Sequence, residues 1–281
     1  MADAIIDSDL KCILDFLHES RNLDFSGYRE SMIERRVKNR FPSVKCNDYK
    51  DYCHYLKAHP SELDNLIDSL TINVSHFFRN PLTFEYLADI VLPEIIYNKN
   101  RHSDASLRIW SAGCAKGEEP YSIAILINEF LKKEKIKFDI RIFATDIDEN
   151  VMEKAKKAIY PAESVENVKY SILKKYFTLQ NDSFSLVLEI KDMVSFSRYN
   201  ILDKKSQAPP VSIFGGFDMV FCRNVLIYFN ADHQELIFEK LYQSLNTDGC
   251  LVLGEAEIPV EKYKRDFRKE NKCCHIYQKI G

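Results

Sequence analysis

LRIWSAGCAKGEEPYSIAI, residues 107–125, reads as an apolar strand, a loop carrying Gly113 and Gly117, and a helix with Pro120 in its first turn. Proline fits there because the first helical N–H groups have no intrahelical acceptor to lose. Strand, glycine loop and helix in this order make the nucleotide-binding corner of an α/β sheet. A dinucleotide fingerprint needs G-x-G-x-x-G, and a phosphate-binding P-loop needs Gly-Lys-Ser/Thr; neither is present. Glu118 and Glu119 occupy the helix start, where a pyrophosphate would otherwise meet bare N–H groups. Carboxylates there repel phosphate and suit a phosphate-free nucleoside with a cationic end. S-adenosylmethionine, with its ammonium and sulfonium, has that chemistry. The blander reading is that both glutamates only stabilise the helix start.

Working outward, strand and helix patterns alternate: FDIRIFAT, then ENVMEKAKKAIY, and later FDMVFC, DHQELIFEKLYQSL, CLVLGE and CHIYQK. This rhythm predicts βαβ units and a mainly parallel sheet of about seven strands. Asp146 falls at the carboxyl end of the second strand, where an acidic side chain accepts ribose hydroxyls. Arg223-Asn224 follow FDMVFC, and Asn200 follows FSRY, so these also arrive at strand ends. Between residues 160 and 199 the rhythm breaks. KYFTL, SLVLEI and MVSFSRY lie close together, joined by Asn181-Asp182 and Lys191-Asp192, and predict an inserted antiparallel β subdomain. Residues 1–78 carry helical patterning almost throughout, punctuated at Ser26-Gly27, Phe41-Pro42-Ser43 and His59-Pro60-Ser61. Two domains are expected, 1–78 helical and 79–281 cofactor-binding, the latter containing the 160–199 insertion.

The 281-residue chain has 46% hydrophobic and 29% charged residues, so it can build a core and is not a disordered chain. A net charge of -3 argues against a general affinity for nucleic acid. The Asn/Asp-Pro-Pro-aromatic sequence of nucleic-acid amino methylation is also absent, since Pro209-Pro210 sits in a loop. No leader-like or membrane-spanning stretch stands out, which predicts a cytoplasmic protein with no integral membrane segment. Eight cysteines show no C-x-x-C pair and read as reduced thiols. Cys46, Cys53, His54 and His59 match no zinc spacing, so no metal is expected. A non-catalytic module that only binds the cofactor is the main rival, and a nicotinamide oxidoreductase a distant one.

INVSHFFRN (72–80), SAGCAKGEEPYS (111–122), FATDID (143–148) and FCRNVLIYF (221–229) occur in one order along nearly the whole chain. Together they resemble the chemotaxis receptor methyltransferases, the CheR family. The resemblance implies a Rossmann-like class I S-adenosylmethionine methyltransferase sheet with an N-terminal all-helical domain and an inserted antiparallel β subdomain. It implies methyl transfer to receptor glutamates, yielding glutamyl methyl esters and S-adenosylhomocysteine. By resemblance Asn73, Ser75 and Arg79 reach the cofactor, Glu119 rather than Glu118 meets its amino-acid portion, and Asp146 holds its ribose. Asn200, Ile201, Arg223 and Asn224 complete the pocket. Ser75 stands where threonine is common, and Cys114 lies inside the glycine loop. A receptor glutamate, with a pKa of about 4.3, is already ionised near neutrality, so no general base is needed. Arg79 and Tyr228 are the candidates for orienting that carboxylate.

Residues 29–45 hold six basic side chains against Glu30 and Glu34, a local +4. Ile33, Val37 and Phe41 would dock this helix and leave Arg36 and Arg40 outward. Sequence alone favours a solvated charged face. The resemblance makes Arg36 and Arg40 the contact for the carboxylate-rich cytoplasmic domains of methyl-accepting chemotaxis receptors. The short turn QNDS (180–183) points to an enzyme that needs no receptor C-terminal peptide tether, and a monomer is expected.

Overall fold

The computed structural model describes residues 7–21, 23–71, 75–204, 206, 208–209, 212 and 216–280. Two compact units emerge: residues 1–73 with 228–234, and residues 74–227 with 235–281.

The first unit is helical: α1 (Ser8–Arg21), α2 (Glu30–Val44), α3 (Tyr49–Ala58) and α4 (Pro60–Thr71). Asp48 caps α3 by accepting the Asp51 N–H at 2.8 Å. Apolar positions at helical spacing, Leu10, Ile13 and Leu17 on α1 and Leu63, Leu66 and Leu70 on α4, are buried as their periodicity predicts. Phe41-Pro42-Ser43 reads from sequence as a break, yet α2 runs through it to Val44. Pro42 stands in the last turn, where only one internal hydrogen bond is forfeited before Lys45 closes the helix in a left-handed conformation (φ 60°). Residues 228–234, which the sequence assigns to the catalytic domain, pack within this unit. Tyr28 pairs with Phe229 as an antiparallel bridge, and the Arg29 N–H donates to the Tyr228 carbonyl at 2.9 Å.

The second unit begins with α5 (Pro81–Tyr86), which passes through a π-turn at Leu87–Val91 into α6 (Leu92–Arg101). Then come β1 (Ser106–Ala112), α7 (Glu118–Glu134), β2 (Asp139–Asp146), α8 (Glu149–Lys157), β3 (Ile159–Pro161), α9 (Tyr170–Tyr176), β4 (Phe177–Gln180), β5 (Ser183–Leu186), α10 (Leu188–Lys191) and β6 (Val194–Arg198). The chain closes with β7 (Phe217–Cys222), α11 (Ala231–Ser244), β8 (Leu245–Leu253), β9 (Phe267–Lys269) and β10 (Ile276–Lys279). Seven strands form one sheet in the order β6-β2-β1-β7-β8-β10-β9. The first five are mutually parallel, and β10 and β9 are antiparallel to their neighbours. From β1 the chain winds one way to β2 and β6, then returns to β7 and β8 on the other side. Ligands bind at such a switch point, outside the carboxyl ends of the strands. Trp110, Phe217 and Phe221 are among the fully buried side chains of the sheet, each contributing on the order of 2–3 kcal/mol of burial free energy.

The antiparallel sheet is narrower than the sequence indicates. It consists of β3, β5 and β4 only. Val194–Arg198, expected as a further hairpin strand, instead pairs parallel with β2, Ile142 opposite Val194 through Asp146 opposite Arg198. The difference lies in Leu188–Lys191, a single helical turn that reads as strand because four residues are too few to show a helical period. That turn separates β5 from β6, so the two do not form a hairpin.

Candidate cofactor site at the carboxyl edge of the sheet

At the end of β1, Gly113 (φ 74°), Ala115 (φ 48°) and Gly117 (φ 90°) turn the chain back toward α7. A Cβ on Gly113 would stand 2.5 Å from Val225 Cγ2, so no larger residue fits that position. The N–H groups of Gly113 and Cys114 both donate to the Thr145 carbonyl, at 2.8 and 2.9 Å, tying the loop to the end of β2. Asp146 follows at once. Its Oδ2 accepts the Ala115 N–H at 2.9 Å and its Oδ1 the Asp148 N–H at 3.1 Å. Burial pushes its carboxyl above the ordinary carboxylate range, against the pull of these donors.

The two adjacent glutamates diverge. Glu119 Oε1 accepts the Ser111 hydroxyl at 2.8 Å, and its Oε2 meets Arg223 Nη1 at 3.2 Å. Burial raises its carboxyl, with Arg223 and Ser111 opposing. Glu118 is fully buried and turns toward the segment after β3, with the Ser164 hydroxyl 3.4 Å from Oε1 and Ser75 also hydrogen-bonding to it. Its Oε2 has no partner among the described residues. Burial pushes its carboxyl up to about 7. Of the pair, only Glu119 therefore lies at the strand-end edge, beside β1 and Arg223.

Arg223 leaves β7 with its side chain 3% exposed. Besides Glu119, it donates through Nη2 to the Arg79 carbonyl at 2.8 Å and to Asn80 Oδ1 at 2.7 Å, and its guanidinium lies 5.5 Å from the Phe84 ring centre. The segment it grips is contorted. Phe78 (φ 52°) and Asn80 (φ 62°) both adopt left-handed backbone, unusual for a phenylalanine above all. Phe77 N–H to the Ser164 carbonyl (3.0 Å) and Phe78 N–H to Ser122 Oγ (2.9 Å) hold that conformation. Half-buried Arg79 is set between these two left-handed residues.

Asn224 (φ 59°) is half-buried beyond Arg223. Asn200 and Ile201, also half-buried, follow β6, where Asn200 Oδ1 accepts the Leu202 N–H at 2.9 Å. Thus Glu119, Asp146, Asn200, Ile201, Arg223 and Asn224 stand at the ends of, or just beyond, adjacent parallel strands of one sheet, with Ser75 and Arg79 in the same unit. Asn73 lies outside the described residues. Tyr228 belongs to the other unit, where its charge interaction with Arg36 partly offsets the lowering of that guanidinium by burial.

The residues fit S-adenosylmethionine on chemical grounds. Two partly desolvated carboxylates, Glu119 and Asp146, have their acidities weakened by burial, and a cationic ligand or a pair of hydroxyl donors relieves that cost.

The expectation that Arg36 and Arg40 both point outward is corrected. Arg40 forms a bidentate pair with Glu62 of α4 (2.9 and 2.7 Å), and Tyr52 of α3 donates to the same carboxylate at 2.7 Å. A buried carboxylate one helix away offers Arg40 better company than water. Arg36 is half-buried and donates to the Ser69 carbonyl. Arg35 and Lys38 are the exposed cations in the middle of α2.

Sequence reasoning also missed Ser111, Ser122, Ser164 and Glu257. Ser111 meets Glu119, Ser164 meets Glu118, and Ser122 and Glu257 accept backbone N–H groups from other segments, pairings that no local spacing signals. Among the described residues no group of three or more His, Cys, Asp or Glu could hold a metal, and no helix is long and apolar enough to cross a membrane.

Comparison with known proteins shows the family. Residues 73–274 match the family described as CheR methyltransferase, SAM binding domain, and residues 8–71 match CheR methyltransferase, all-alpha domain. Chemotaxis protein methyltransferase 2 of Vibrio cholerae is 35% identical over 258 residues, covering 90% of this chain and 86% of that protein. The chemotaxis protein methyltransferase of Borreliella burgdorferi is 31% identical, covering 90% and 89%, and that of Escherichia coli 32% identical, covering 90% and 85%.

Proposed function

The chain belongs to the CheR methyltransferase family, and on that footing we propose that it is a protein-glutamate O-methyltransferase acting on the cytoplasmic domains of chemotaxis receptors. The observation that carries the reading is the Ser111–Glu119–Arg223 chain at the switch point, continued from Arg223 onto the Arg79–Asn80 segment.

S-adenosylmethionine, when bound, supplies an electrophilic methyl group on a sulfonium. Glu119 holds the ammonium end of the amino-acid portion, and Asp146 accepts from the ribose. Asn200, Ile201 and Asn224 line the pocket, and the family resemblance assigns Asn73 and Ser75 to the cofactor as well. Arg223 neutralises Glu119 in part and fixes the backbone of Arg79 and Asn80. Arg79 orients the receptor carboxylate, the role that the sequence reading also assigns to Tyr228. A receptor glutamate is ionised near neutrality, so the protein need move no proton. Its tasks are to align a carboxylate oxygen behind the methyl and to exclude water. The absence of any histidine from these residues agrees with that chemistry.

The receptor side of the proposal rests on α2, whose exposed Arg35 and Lys38 are better placed to meet carboxylate-rich helices than Arg40, committed to Glu62, or Arg36, half-buried and bonded to the Ser69 carbonyl. The receptor's methylated segment is cytoplasmic, and so then is the enzyme.

The test is incubation with methyl-labelled S-adenosylmethionine and receptor-containing membranes. Label should appear in the receptor and be released by base as methanol, which a glutamyl ester does and an N-methyl group does not. In the same assay Arg79→Ala should lose on the order of a hundredfold in rate, a single misplaced orienting group being sufficient for that, and Tyr228→Phe far less. Base-stable label, or near-wild-type rates in both variants, contradicts the reading.

A further inference from the structure

Glu257 belongs to none of the motifs at the cofactor edge, yet it is 3% exposed and its carboxylate is fully engaged with backbone. It follows β8 in the turn that begins at Gly254. Among the described residues it collects four N–H groups. Oε2 accepts from Gly254 at 2.7 Å and Asn224 at 2.8 Å, and Oε1 from Val225 at 2.8 Å and Ile227 at 3.3 Å. Its own backbone is anchored by His275, whose Nδ1 lies 2.5 Å from the Glu257 carbonyl.

Three of those donors belong to the chain directly after Arg223, where Asn224 is held in left-handed backbone at φ 59°. A Cβ on Gly254 would stand 2.8 Å from the Asn224 nitrogen and 2.7 Å from Glu257 Oε2, so the two turns are in closest approach. Val225, fixed by Glu257, is the residue that fills the space over Gly113 of the cofactor loop. A displacement of residues 224–227 would therefore move both Asn224 and the wall against which the glycine loop packs.

We infer that Glu257 is a positioning residue for the cofactor site, a carboxylate cap that shapes the Arg223–Asn224 corner through its backbone N–H groups. The inference rests on the reading of that edge as the S-adenosylmethionine site. Chemistry sets the requirement: both oxygens must accept, each from two donors. A glutamine turns one acceptor into an NH2 group facing two N–H groups, and an aspartate is a methylene too short to reach both pairs.

Calorimetric titration of the full chain with S-adenosylhomocysteine tests this without any receptor. Glu257→Gln should bind with stoichiometry near one and a Kd raised about tenfold or more, the scale of lost hydrogen bonds to a charged group. A residue serving only global stability would lower the stoichiometry through an unfolded fraction and leave Kd unchanged. A Kd within about twofold of wild type overturns the inference. If Glu257→Gln does not fold, Gly254→Ala is read in the same way. It keeps the carboxylate but presses a methyl onto Asn224, so a raised Kd at full stoichiometry supports the inference and an unchanged one overturns it. Failure of the wild-type chain to bind would instead overturn the reading of the site, and this inference with it.

Discussion

Glu118 and Glu119 are covalent neighbours whose surroundings separate their roles. Glu119 shares its charge with Arg223 and Ser111. Glu118 is buried with only the opposing charge of Lys116 and hydroxyl donors to offset it, one oxygen is unpartnered among the described residues, and its carboxyl is pushed up to about 7. A carboxyl with a higher pKa folded than unfolded adds stability that is complete below the unfolded value of about 4.5 and lost as pH rises through about 7. Glu118→Gln, neutral at every pH, should therefore gain on wild type in thermal unfolding as pH is raised from 5 to 8, by up to about 3 kcal/mol. A gap that does not change over that range would show that Glu118 is not the buried titrating group. The sequence distinguishes the pair only through the family resemblance. The physical distinction depends on Ser111, Ser164 and Arg223, which are 8 to 104 residues away from the glutamate each one meets, and no local pattern announces such partners.

Among the elements, α2 changes most between sequence and structure. Its amphipathic spacing is readable, and Ile33 and Val37 are buried as expected. Which arginines remain outward is not readable, because it is set by Glu62 on α4 and Tyr52 on α3. Arg40→Glu should place a second carboxylate against Glu62 and destabilise the helical unit by about 3 kcal/mol in chemical denaturation. Arg35→Glu, on the exposed face of α2, should leave cofactor affinity intact and weaken receptor methylation, which added salt should mimic. If Arg40→Glu unfolds like wild type, the Glu62 pair is not structural; if Arg35→Glu methylates normally, the exposed face of α2 does not contact the receptor. Other elements failed to show in the sequence because they are short. Leu188–Lys191 is one helical turn, and Phe267–Lys269 is a three-residue edge strand with two charged side chains. Both fall below the length at which periodicity can be recognised.

For the whole molecule, the strand–loop–helix of residues 107–125 and the later strand patterns were sufficient to predict an α/β sheet of about seven strands with an all-helical N-terminal region. Seven strands are present in the main sheet, and the fold is that of a class I S-adenosylmethionine methyltransferase. Strand order and the switch point between β1 and β7 were not readable, being settled by which apolar faces pack together over long separations. The same holds for Glu257, whose donors lie 30 to 33 residues away apart from Gly254. What the sequence carries well is chemistry at strand ends, since Asp146 and Arg223 sit immediately after runs of buried apolar residues. The central claim is that this edge is a carboxylate-lined site for a cationic, phosphate-free nucleoside. Its most direct measurement is a calorimetric titration of the wild-type, Glu119→Gln and Asp146→Asn chains with S-adenosylmethionine and with NAD. One S-adenosylmethionine should bind per wild-type chain, each variant should bind it about tenfold or more weakly, and NAD should not bind. Wild-type affinity in both variants, or binding of NAD in place of S-adenosylmethionine, would contradict it.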